Sequence, residues 1–278
     1  MNELRNRVAV VTGAASGIGF ALCDRFARDA MSVVMADIET SALEEAAEKI
    51  RAHGGEVLTS TVDVSKAHEV EQLAADSYAR FGAVHVVCNN AGVGGGGVQA
   101  TLSVAEWDWV LGVNLHGVVH GIASFLPRML ASGEEGHIVN TASMAGHVGF
   151  PGMGPYNASK YAVVGLSEAL FHELKGTNVG VSALCPGWVK TQIASSSRNR
   201  PADLPERVMT AEDAARSQYI SQVIESGLPP AAIADLVKDA IVTNKFWIMS
   251  HPEMLPGIRM RADEILAGRN PGSRIEEP

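Results

Sequence analysis

The sequence is short of cysteine, of positive charge and of long apolar runs, and each shortage excludes a class of protein. Its three cysteines stand singly inside apolar stretches, which is typical of buried thiols and not of a disulfide framework or a metal site. No apolar run reaches the roughly 18 residues that a membrane-spanning helix needs. The 22 Lys and Arg residues are outnumbered by 31 Asp and Glu residues, and the net charge of −9 argues against a nucleic-acid-binding surface.

The overall composition is typical of a soluble globular protein. Hydrophobic residues make up 46% of the 278 residues and charged residues 19%, so the chain can bury a large core. The polar N-terminus leads straight into a strand-like run, and we therefore expect no secretory signal and a cytoplasmic location. No linker, repeat or low-complexity tract divides the sequence, so residues 1–278 are predicted to form a single domain.

Short apolar runs alternate with helix-length segments from the start of the chain. This alternation predicts an α/β fold, a doubly wound parallel sheet of about seven strands with helices on both faces. The predicted strands are Arg7–Val11, Ser32–Ala36, Val57–Val62, Val84–Cys88, His137–Asn140, Val179–Leu184 and an edge strand at Lys245–Ser250. The predicted helices include Ser41–Ala52, Ala67–Phe81, Ala105–Leu130 and Tyr156–Leu174. The polar stretch 194–230 is predicted to be a helical excursion that covers the substrate, and 252–278 a C-terminal tail.

A glycine-rich turn directly follows the first predicted strand and opens a helix. Gly13, Gly17 and Gly19 let the backbone turn sharply and approach a ligand, and a helix N-terminus favours negative charge. The spacing Gly-x-x-x-Gly-x-Gly differs from the wider dinucleotide fingerprint, but its position after the first strand indicates a nucleotide phosphate site.

Asp37 ends the second predicted strand, eighteen residues after Gly19. A carboxylate there can accept both hydroxyls of an adenosine ribose, and it would repel a 2′-phosphate by roughly 1–4 kcal/mol. Positions 16 and 38 are Ser and Ile, and neither carries a basic side chain that could bind that phosphate, so NAD is favoured over NADP. The alternative is that Asp37 is merely a solvated acid at a strand end.

Tyr156 and Lys160 stand four residues apart, with Ser143 thirteen positions upstream of the tyrosine. On a helix, residues i and i+4 lie on the same face, so an ammonium is held beside a phenol. A tyrosine normally titrates near ~10, and lowering its pKa by about 3 units takes roughly 4 kcal/mol. Ser143 could hold a substrate oxygen that exchanges a proton with the phenol. Taken alone, a Tyr-x-x-x-Lys pair is more often an ordinary helix with a surface lysine.

Together these segments resemble the single-domain branch of the short-chain dehydrogenase/reductase family. The matching motifs run in order over about residues 7–192, and they are Thr12–Gly19, Asp63-Val64, Asn89–Gly92, Asn114, Ser143, Tyr156 with Lys160, and Pro186-Gly187 followed by Thr191. The resemblance implies a Rossmann-type fold and reversible hydride transfer between NAD and a secondary alcohol or ketone.

The resemblance also implies a role for each matching residue. Tyr156 would be the acid/base, Ser143 would position the substrate oxygen, and Lys160 would bind the nicotinamide ribose and lower the tyrosine pKa. Asn114 would anchor a proton-relaying water, although a buried asparagine could instead satisfy a helix kink. Asp63 and Val64 would hold the adenine ring, and Val189 and Thr191 would contact the nicotinamide carboxamide. The other cofactor contacts would be Gly13, Ser16, Gly17, Ile18, Gly19, Asp37, Asn90, Ala91, Gly92, Pro186 and Gly187.

The sequence leaves the small-molecule substrate open. Phe150, Met153, Trp188 and Met209 suggest an apolar lining, although each could belong to the core, and no arginine is obviously placed to bind a carboxylate or phosphate. We therefore expect a hydrophobic or cyclic alcohol or ketone. The four glycines Gly94–Gly97 predict a mobile loop near the cofactor.

The C-terminal sequence departs from the family, because the Asp-Gly-Gly segment that many relatives use in tetramer packing is absent. A homo-oligomer is still expected, as a dimer or a tetramer. Small residues at Ala158, Ala162, Gly165 and Ala169 would let two copies of one helix approach each other, or they would pack on the sheet within one chain.

Other sites and functions are less favoured. His116 and His120 stand i, i+4 apart without a further ligand, so no metal site is expected, whereas His147 could contact substrate. Sugar-nucleotide epimerases share the Tyr-x-x-x-Lys pair but need a longer substrate domain, and enoyl reductases space the two residues more widely. The alternative outside catalysis is an NAD-binding sensor or interaction protein of the same fold, which the presence of all four catalytic residues disfavours.

Overall fold

Seven parallel strands form the central sheet in the part of the chain that the structure describes. The computed structural model describes residues 1, 3–204 and 210–272, so the predicted pocket residue Met209 lies outside the described residues. The strand order is β3-β2-β1-β4-β5-β6-β7. The strands are β1 Val8–Thr12, β2 Ser32–Asp37, β3 Val57–Thr61, β4 Val86–Asn89, β5 Gly136–Thr141, β6 Val179–Cys185 and β7 Trp247–Met249.

Helices cover both faces of this sheet because its central strands are apolar on both sides. In β1, Ala9 and Val11 belong to one core cluster, while Val8 and Val10 belong to the opposite one. The first cluster includes side chains of the helices Gly17–Arg28, Thr40–Arg51 and Pro230–Thr243, and the second those of Ala67–Phe81, Gly117–Ser132 and Gly154–Glu173. This arrangement confirms the predicted doubly wound α/β fold. The helices are α1 Gly17–Arg28, α2 Thr40–Arg51, α3 Ala67–Phe81, α4 Val104–Leu111, α5 Gly117–Ser132, α6 Gly154–Glu173, α7 Ala211–Glu225, α8 Pro230–Thr243 and α9 Leu255–Leu266.

The long helix predicted at Ala105–Leu130 is interrupted. A π-helical turn, Gly112–His116, separates α4 from α5 and turns the Asn114 side chain into the interior. By length and composition, the continuous segment Val104–Ser132 is apolar enough to cross a membrane. Its inward residues, such as Phe125 and Met129, are buried in the core beside the sheet, as expected for a core helix.

The excursion 194–230 is helical, as predicted: it contains most of the 3₁₀ turn Ile193–Asn199 and all of α7. The predicted tail 252–278 contains the helix α9 in its described part, which the sequence did not indicate. The assignment of residues 1–278 to a single domain stays a prediction.

The strand order places a crevice at the carboxyl edge of the sheet. From β1 the chain proceeds to β2 and β3 on one side of the sheet, and it then crosses to the other side, where β4 pairs with β1. The direction of the strand order therefore reverses between β1 and β4. At such a reversal, the loops after neighbouring strands diverge and leave room for a ligand. Thr12 ends β1 and Asn89 ends β4, so the glycine-rich turn and the Asn89–Gly92 segment face each other across this opening.

Candidate active site

A cleft of about 1050 Å³ occupies the carboxyl edge of the sheet. Its volume lies at the upper end of the range for small-molecule sites, roughly 300–1000 Å³. Of the predicted site residues, Asn114 alone does not line the cleft. Those that do are Gly13, Ser16, Gly17, Ile18, Gly19, Asp37, Asp63, Val64, Asn90, Ala91, Gly92, Ser143, Tyr156, Lys160, Pro186, Gly187, Val189 and Thr191.

The glycine-rich turn has the geometry of a cradle for an anion. Gly13 has a φ of 68° and Gly17 a φ of 55°, conformations that L side chains rarely adopt. A Cβ atom at Gly19 would lie only 2.0 Å from the carbonyl oxygen of Gly13. Ser16 is the N-cap residue of α1, but its side chain makes no capping hydrogen bond. The first turn of α1 is therefore not capped by this side chain, which suits a phosphate ligand.

Asp37 lines the cleft beside the glycine-rich turn. The Ala15 N–H donates to one carboxylate oxygen at 2.9 Å, and the Glu39 N–H donates to the other at 3.0 Å. Burial raises the pKa of Asp37, and these hydrogen bonds only partly oppose that rise. Each oxygen still has a lone pair for a ribose hydroxyl.

The neighbouring cleft wall is fixed by hydrogen bonds between strand ends. The Thr12 hydroxyl accepts from the backbone N–H groups of Asn90 and Ala91, both at 3.0 Å, and the Asn90 amide donates to the Thr12 carbonyl at 2.9 Å. Burial would raise the pKa of Asp63, but hydrogen bonds from Ser65 and the positive charge of Lys66 outweigh it and lower that pKa.

Tyr156 and Lys160 lie on one face of α6, as predicted. The Lys160 Nζ donates to the carbonyl oxygen of Thr141 at 2.8 Å and lies 5.6 Å from the centre of the Tyr156 ring. Lys160 is 3% exposed, and this burial lowers its pKa to about 8. Burial raises the pKa of Tyr156, whereas a hydrogen bond with Ser143 acts to lower it. Burial therefore outweighs the Ser143 hydrogen bond in its effect on the Tyr156 pKa, and the lowering of that pKa by Lys160 stays a prediction.

Ser143 and Asn114 are both held by the backbone. The Ser143 hydroxyl donates to the Pro186 carbonyl at 3.3 Å and accepts from the Ala145 N–H at 3.1 Å. The Asn114 side-chain oxygen accepts from the Val93 N–H at 2.8 Å, and its amide donates to the Val93 carbonyl at 3.0 Å and to Ser159 at 3.3 Å. The Asn114 side chain thus braces the Val93 backbone from within the π-helical turn, while its role in a water relay stays a prediction.

The four glycines Gly94–Gly97 have a packing role that the sequence did not reveal. A Cβ atom would lie 2.9 Å from the Ile193 carbonyl at Gly94, 2.4 Å from Val110 at Gly95 and 2.2 Å from the Gly152 carbonyl at Gly96. The Gly97 N–H donates to the Gly152 carbonyl at 2.7 Å, and the Gly94 N–H to the Ser196 hydroxyl at 2.9 Å. These contacts tie the glycine segment to the cleft walls on either side, and its mobility stays a prediction.

Part of the cleft lining is apolar, as expected. Phe150, Met153 and Trp188 line it. His147 is absent from the lining and contacts the Cys185 sulfur at 3.3 Å and the Trp247 ring instead. His120 contacts the Val64 carbonyl at 2.9 Å, which supports a packing role for that histidine.

Of the residues that the structure describes, three arginines line the cleft, which the sequence did not indicate. Each is paired with a carboxylate of its own chain: Arg198 with Glu39 at 2.7 Å, Arg200 with Glu106 at 3.8 Å and Arg216 with Asp213 at 3.3 Å. No local motif marks these residues, because they come from the excursion and meet the rest of the cleft only in the folded chain.

The small residues of α6 do not pack on the sheet. Ala158, Gly165 and Ala169 are exposed, and a Cβ atom at Gly165 would meet nothing within 4 Å. Of the two predicted uses of this face, packing within the chain is therefore excluded for these three positions.

Comparison with known proteins gives consistent matches. The family model described as short chain dehydrogenase matches residues 7–202. A short-chain dehydrogenase/reductase from Burkholderia phymatum, solved in complex with NAD, is 42% identical, with complete coverage of both chains and a TM-score of 0.97. The actinorhodin polyketide ketoreductase, solved with NADPH, is 35% identical, with 90% of this chain and 96% of that chain covered and a TM-score of 0.75. The 1-deoxy-11-beta-hydroxypentalenate dehydrogenase of Streptomyces exfoliatus is 35% identical over 95% of this chain and 90% of the relative.

Proposed function

The chain belongs to the short-chain dehydrogenase/reductase family, and from that premise we propose that it is an NAD(H)-dependent oxidoreductase that interconverts a secondary alcohol and a ketone. The observation that carries the proposal is the layout of the cleft. A glycine cradle and Asp37 lie at one end, and Tyr156, Lys160 and Ser143 converge at the other. Such a layout suits a dinucleotide whose reactive ring lies beside an acid/base residue.

The residues present fit a nicotinamide dinucleotide. The crowded glycine turn leaves the backbone exposed to a pyrophosphate, and Asp37 retains lone pairs for the adenosine ribose. Asp63, Val64, Asn90, Ala91 and Gly92 would line the adenine and central part of the site, while Pro186, Gly187, Val189 and Thr191 would lie beside the nicotinamide. When bound, the nicotinamide accepts or supplies the hydride.

NAD is proposed in preference to NADP. Asp37 would repel a 2′-phosphate, and the cation near it, Arg198, is already neutralised by Glu39. The NAD complex of the Burkholderia phymatum relative supports this preference. The NADPH complex of the actinorhodin ketoreductase is the reason to test it directly.

The protein side of the reaction is a proton transfer. In alcohol oxidation, Tyr156 would accept the proton of the substrate hydroxyl, while the Ser143 hydroxyl would hold that oxygen in place. Lys160 would contact the cofactor ribose and help to favour the phenolate once the cleft is filled. Asn114 would support proton exchange with solvent from its position beside Val93. In ketone reduction, Tyr156 would return the proton to the substrate oxygen.

We propose a hydrophobic or cyclic substrate. The lining by Phe150, Met153 and Trp188 is apolar, and the three arginines in the cleft are charge-matched by their own carboxylates. The relative named for oxidation of a hydroxypentalenate supports a hydroxylated organic substrate. We also propose a cytoplasmic homo-oligomer, because the exposed small residues of α6 offer a face for a second copy.

The test is a screen of secondary alcohols with NAD and with NADP, in which formation of reduced cofactor is followed by absorbance. We expect turnover of apolar or cyclic alcohols with NAD, and a loss of about 1000-fold or more in kcat for Tyr156→Phe with little change in the Kd of NAD. Tyr161→Phe, on the same helix, is the matched control. Tyr156→Phe protein that kept most of its activity would refute the mechanism. Tight NAD binding without turnover of any alcohol would favour the sensor alternative.

A further inference from the structure

His251 lies directly behind the segment that forms the nicotinamide end of the cleft. It follows β7 and is only 6% exposed. Both of its ring nitrogens contact the backbone of two consecutive cleft residues. The Gly187 N–H donates to Nδ1 at 3.1 Å, and Nε2 lies 3.0 Å from the carbonyl oxygen of Trp188.

These two partners determine the protonation of the ring. A backbone N–H can only donate, so Nδ1 must be an acceptor, and a carbonyl oxygen can only accept, so Nε2 must carry the proton. The Ser250 hydroxyl lies 2.7 Å from the same Nδ1, so it shares the one lone pair of that nitrogen with the Gly187 N–H. With Nδ1 as the acceptor and Nε2 as the donor, the ring satisfies backbone groups on both of its edges, and these contacts orient it.

Close packing adds to this orientation. A Cβ atom at Gly187 would lie 2.7 Å from the His251 ring and 2.6 Å from the Met254 sulfur, so the Gly187 backbone rests directly on the ring. On the other side, the Pro186 carbonyl accepts from the Ser143 hydroxyl at 3.3 Å and from the Met144 N–H at 2.9 Å. The backbone from Pro186 to Trp188 is thus held between Ser143 and His251.

We infer that His251 is a positioning residue. It fixes the position of the Pro186–Trp188 backbone, and thereby the surface against which the nicotinamide ring binds. It does not line the cleft itself and acts through Gly187 and Trp188. This inference rests on the proposed function, since it needs a cofactor with a nicotinamide. A role confined to folding would affect every ligand equally, whereas a role at this segment affects only the nicotinamide half.

The test compares NAD with ADP-ribose, which keeps the adenosine and pyrophosphate but lacks the nicotinamide. For His251→Ala, we expect the Kd of NAD to rise by about 10-fold, because the Pro186–Trp188 backbone is no longer held in place before binding, while the Kd of ADP-ribose changes less than about 2-fold. His251→Asn can keep the acceptor for Gly187, and His251→Gln can keep the donor to Trp188, so each should recover part of the NAD affinity. Both Kd values are measured by calorimetry, with KM and kcat for NAD measured in parallel.

The matched control is His85→Ala. His85 is equally buried, and its Nδ1 also accepts from a backbone N–H, that of Val8 at 3.0 Å, but at the amino edge of the sheet. We expect this variant to lower the Tm without separating the two ligands. Equal weakening of NAD and ADP-ribose in all three His251 variants, or no weakening of either, would overturn the inference. Wild-type protein that binds neither ligand would instead refute the proposed function, and the inference with it.

Discussion

The buried lysine of the cleft makes a prediction about stability that requires no substrate. Burial lowers the pKa of Lys160 from 10.5 to about 8. Below pH 8 the amine is charged in both the folded and the unfolded protein, so the cost of burying the charge is fully present. Between pH 8 and 10.5 the folded protein releases this proton while the unfolded chain keeps it, and stability therefore rises with pH. At roughly 1.4 kcal/mol per pKa unit, this contribution is about 3 kcal/mol.

The perturbation is Lys160→Met, which replaces the amine by an apolar side chain of similar length. We expect the free energy of unfolding of wild type, relative to the variant, to increase by about 3 kcal/mol between pH 7.5 and 10.5. The hydrogen bond to Thr141 is available to both the charged and the neutral amine, so its loss adds an offset that depends little on pH. Urea unfolding at a series of pH values measures the difference.

The control for that experiment is Lys175→Met, which removes the same charge from an exposed position just after α6. If wild type and Lys160→Met differ by the same amount at every pH, the amine is not buried in the way that the structure indicates. If the stability of wild type relative to Lys175→Met rose with pH to the same extent, loss of one positive charge, and not burial, would produce the effect.

Two further variants test the cofactor end of the cleft. Gly19→Ala would place a methyl group 2.0 Å from the Gly13 carbonyl oxygen. We therefore expect a stability loss of about 1–3 kcal/mol, and weaker NAD binding by calorimetry. Gly165→Ala is the control within a helix, because a methyl group there would have no atom within 4 Å. Unchanged NAD affinity in Gly19→Ala would contradict the cradle. Glu39 and Arg198 both line the cleft, and their ion pair joins two of its walls, so Glu39→Gln should make the bound cofactor easier to release. Such partly exposed pairs contribute about 0.2–1 kcal/mol. We therefore expect reduced cofactor to dissociate roughly 2- to 5-fold faster in stopped-flow measurements. An unaltered dissociation rate would show that this pair does not retain the cofactor.

The order of strands and helices could be predicted because the spacing of apolar residues within each element indicates its type. Apolar runs such as Val33–Met35 must be buried on both faces, and the helix Ala67–Phe81 was predicted with its observed bounds. The π-helical turn at Gly112–His116 could not be found in this way. One extra residue within a turn hardly changes the spacing of apolar side chains around it, so the segment still has the pattern of a continuous helix.

The cleft was predicted unevenly for a similar reason. Residues carried by short motifs, such as Tyr156 with Lys160, were placed correctly, because four residues of helix fix their relation. The contacts of His251 and Arg198 join positions 64 and 159 residues apart, and no local pattern encodes such pairs. The cluster of glycines at Gly94–Gly97 was visible, but its purpose depends on partners that only the folded chain brings near.

The electrostatics of the cleft indicate when its base becomes effective. Burial raises the pKa of Tyr156 and lowers that of Lys160, so in the protein alone both side chains are shifted toward their neutral forms. A neutral phenol is a poor acceptor for the proton of an alcohol. A positive charge bound beside the phenol favours the phenolate, and in a buried site that effect is only weakly screened. Oxidised nicotinamide carries such a charge and the reduced form does not. In the proposed reaction, the strength of Tyr156 as a base would therefore depend on the oxidation state of the cofactor in the cleft, with Lys160 as a contributor that cannot act alone.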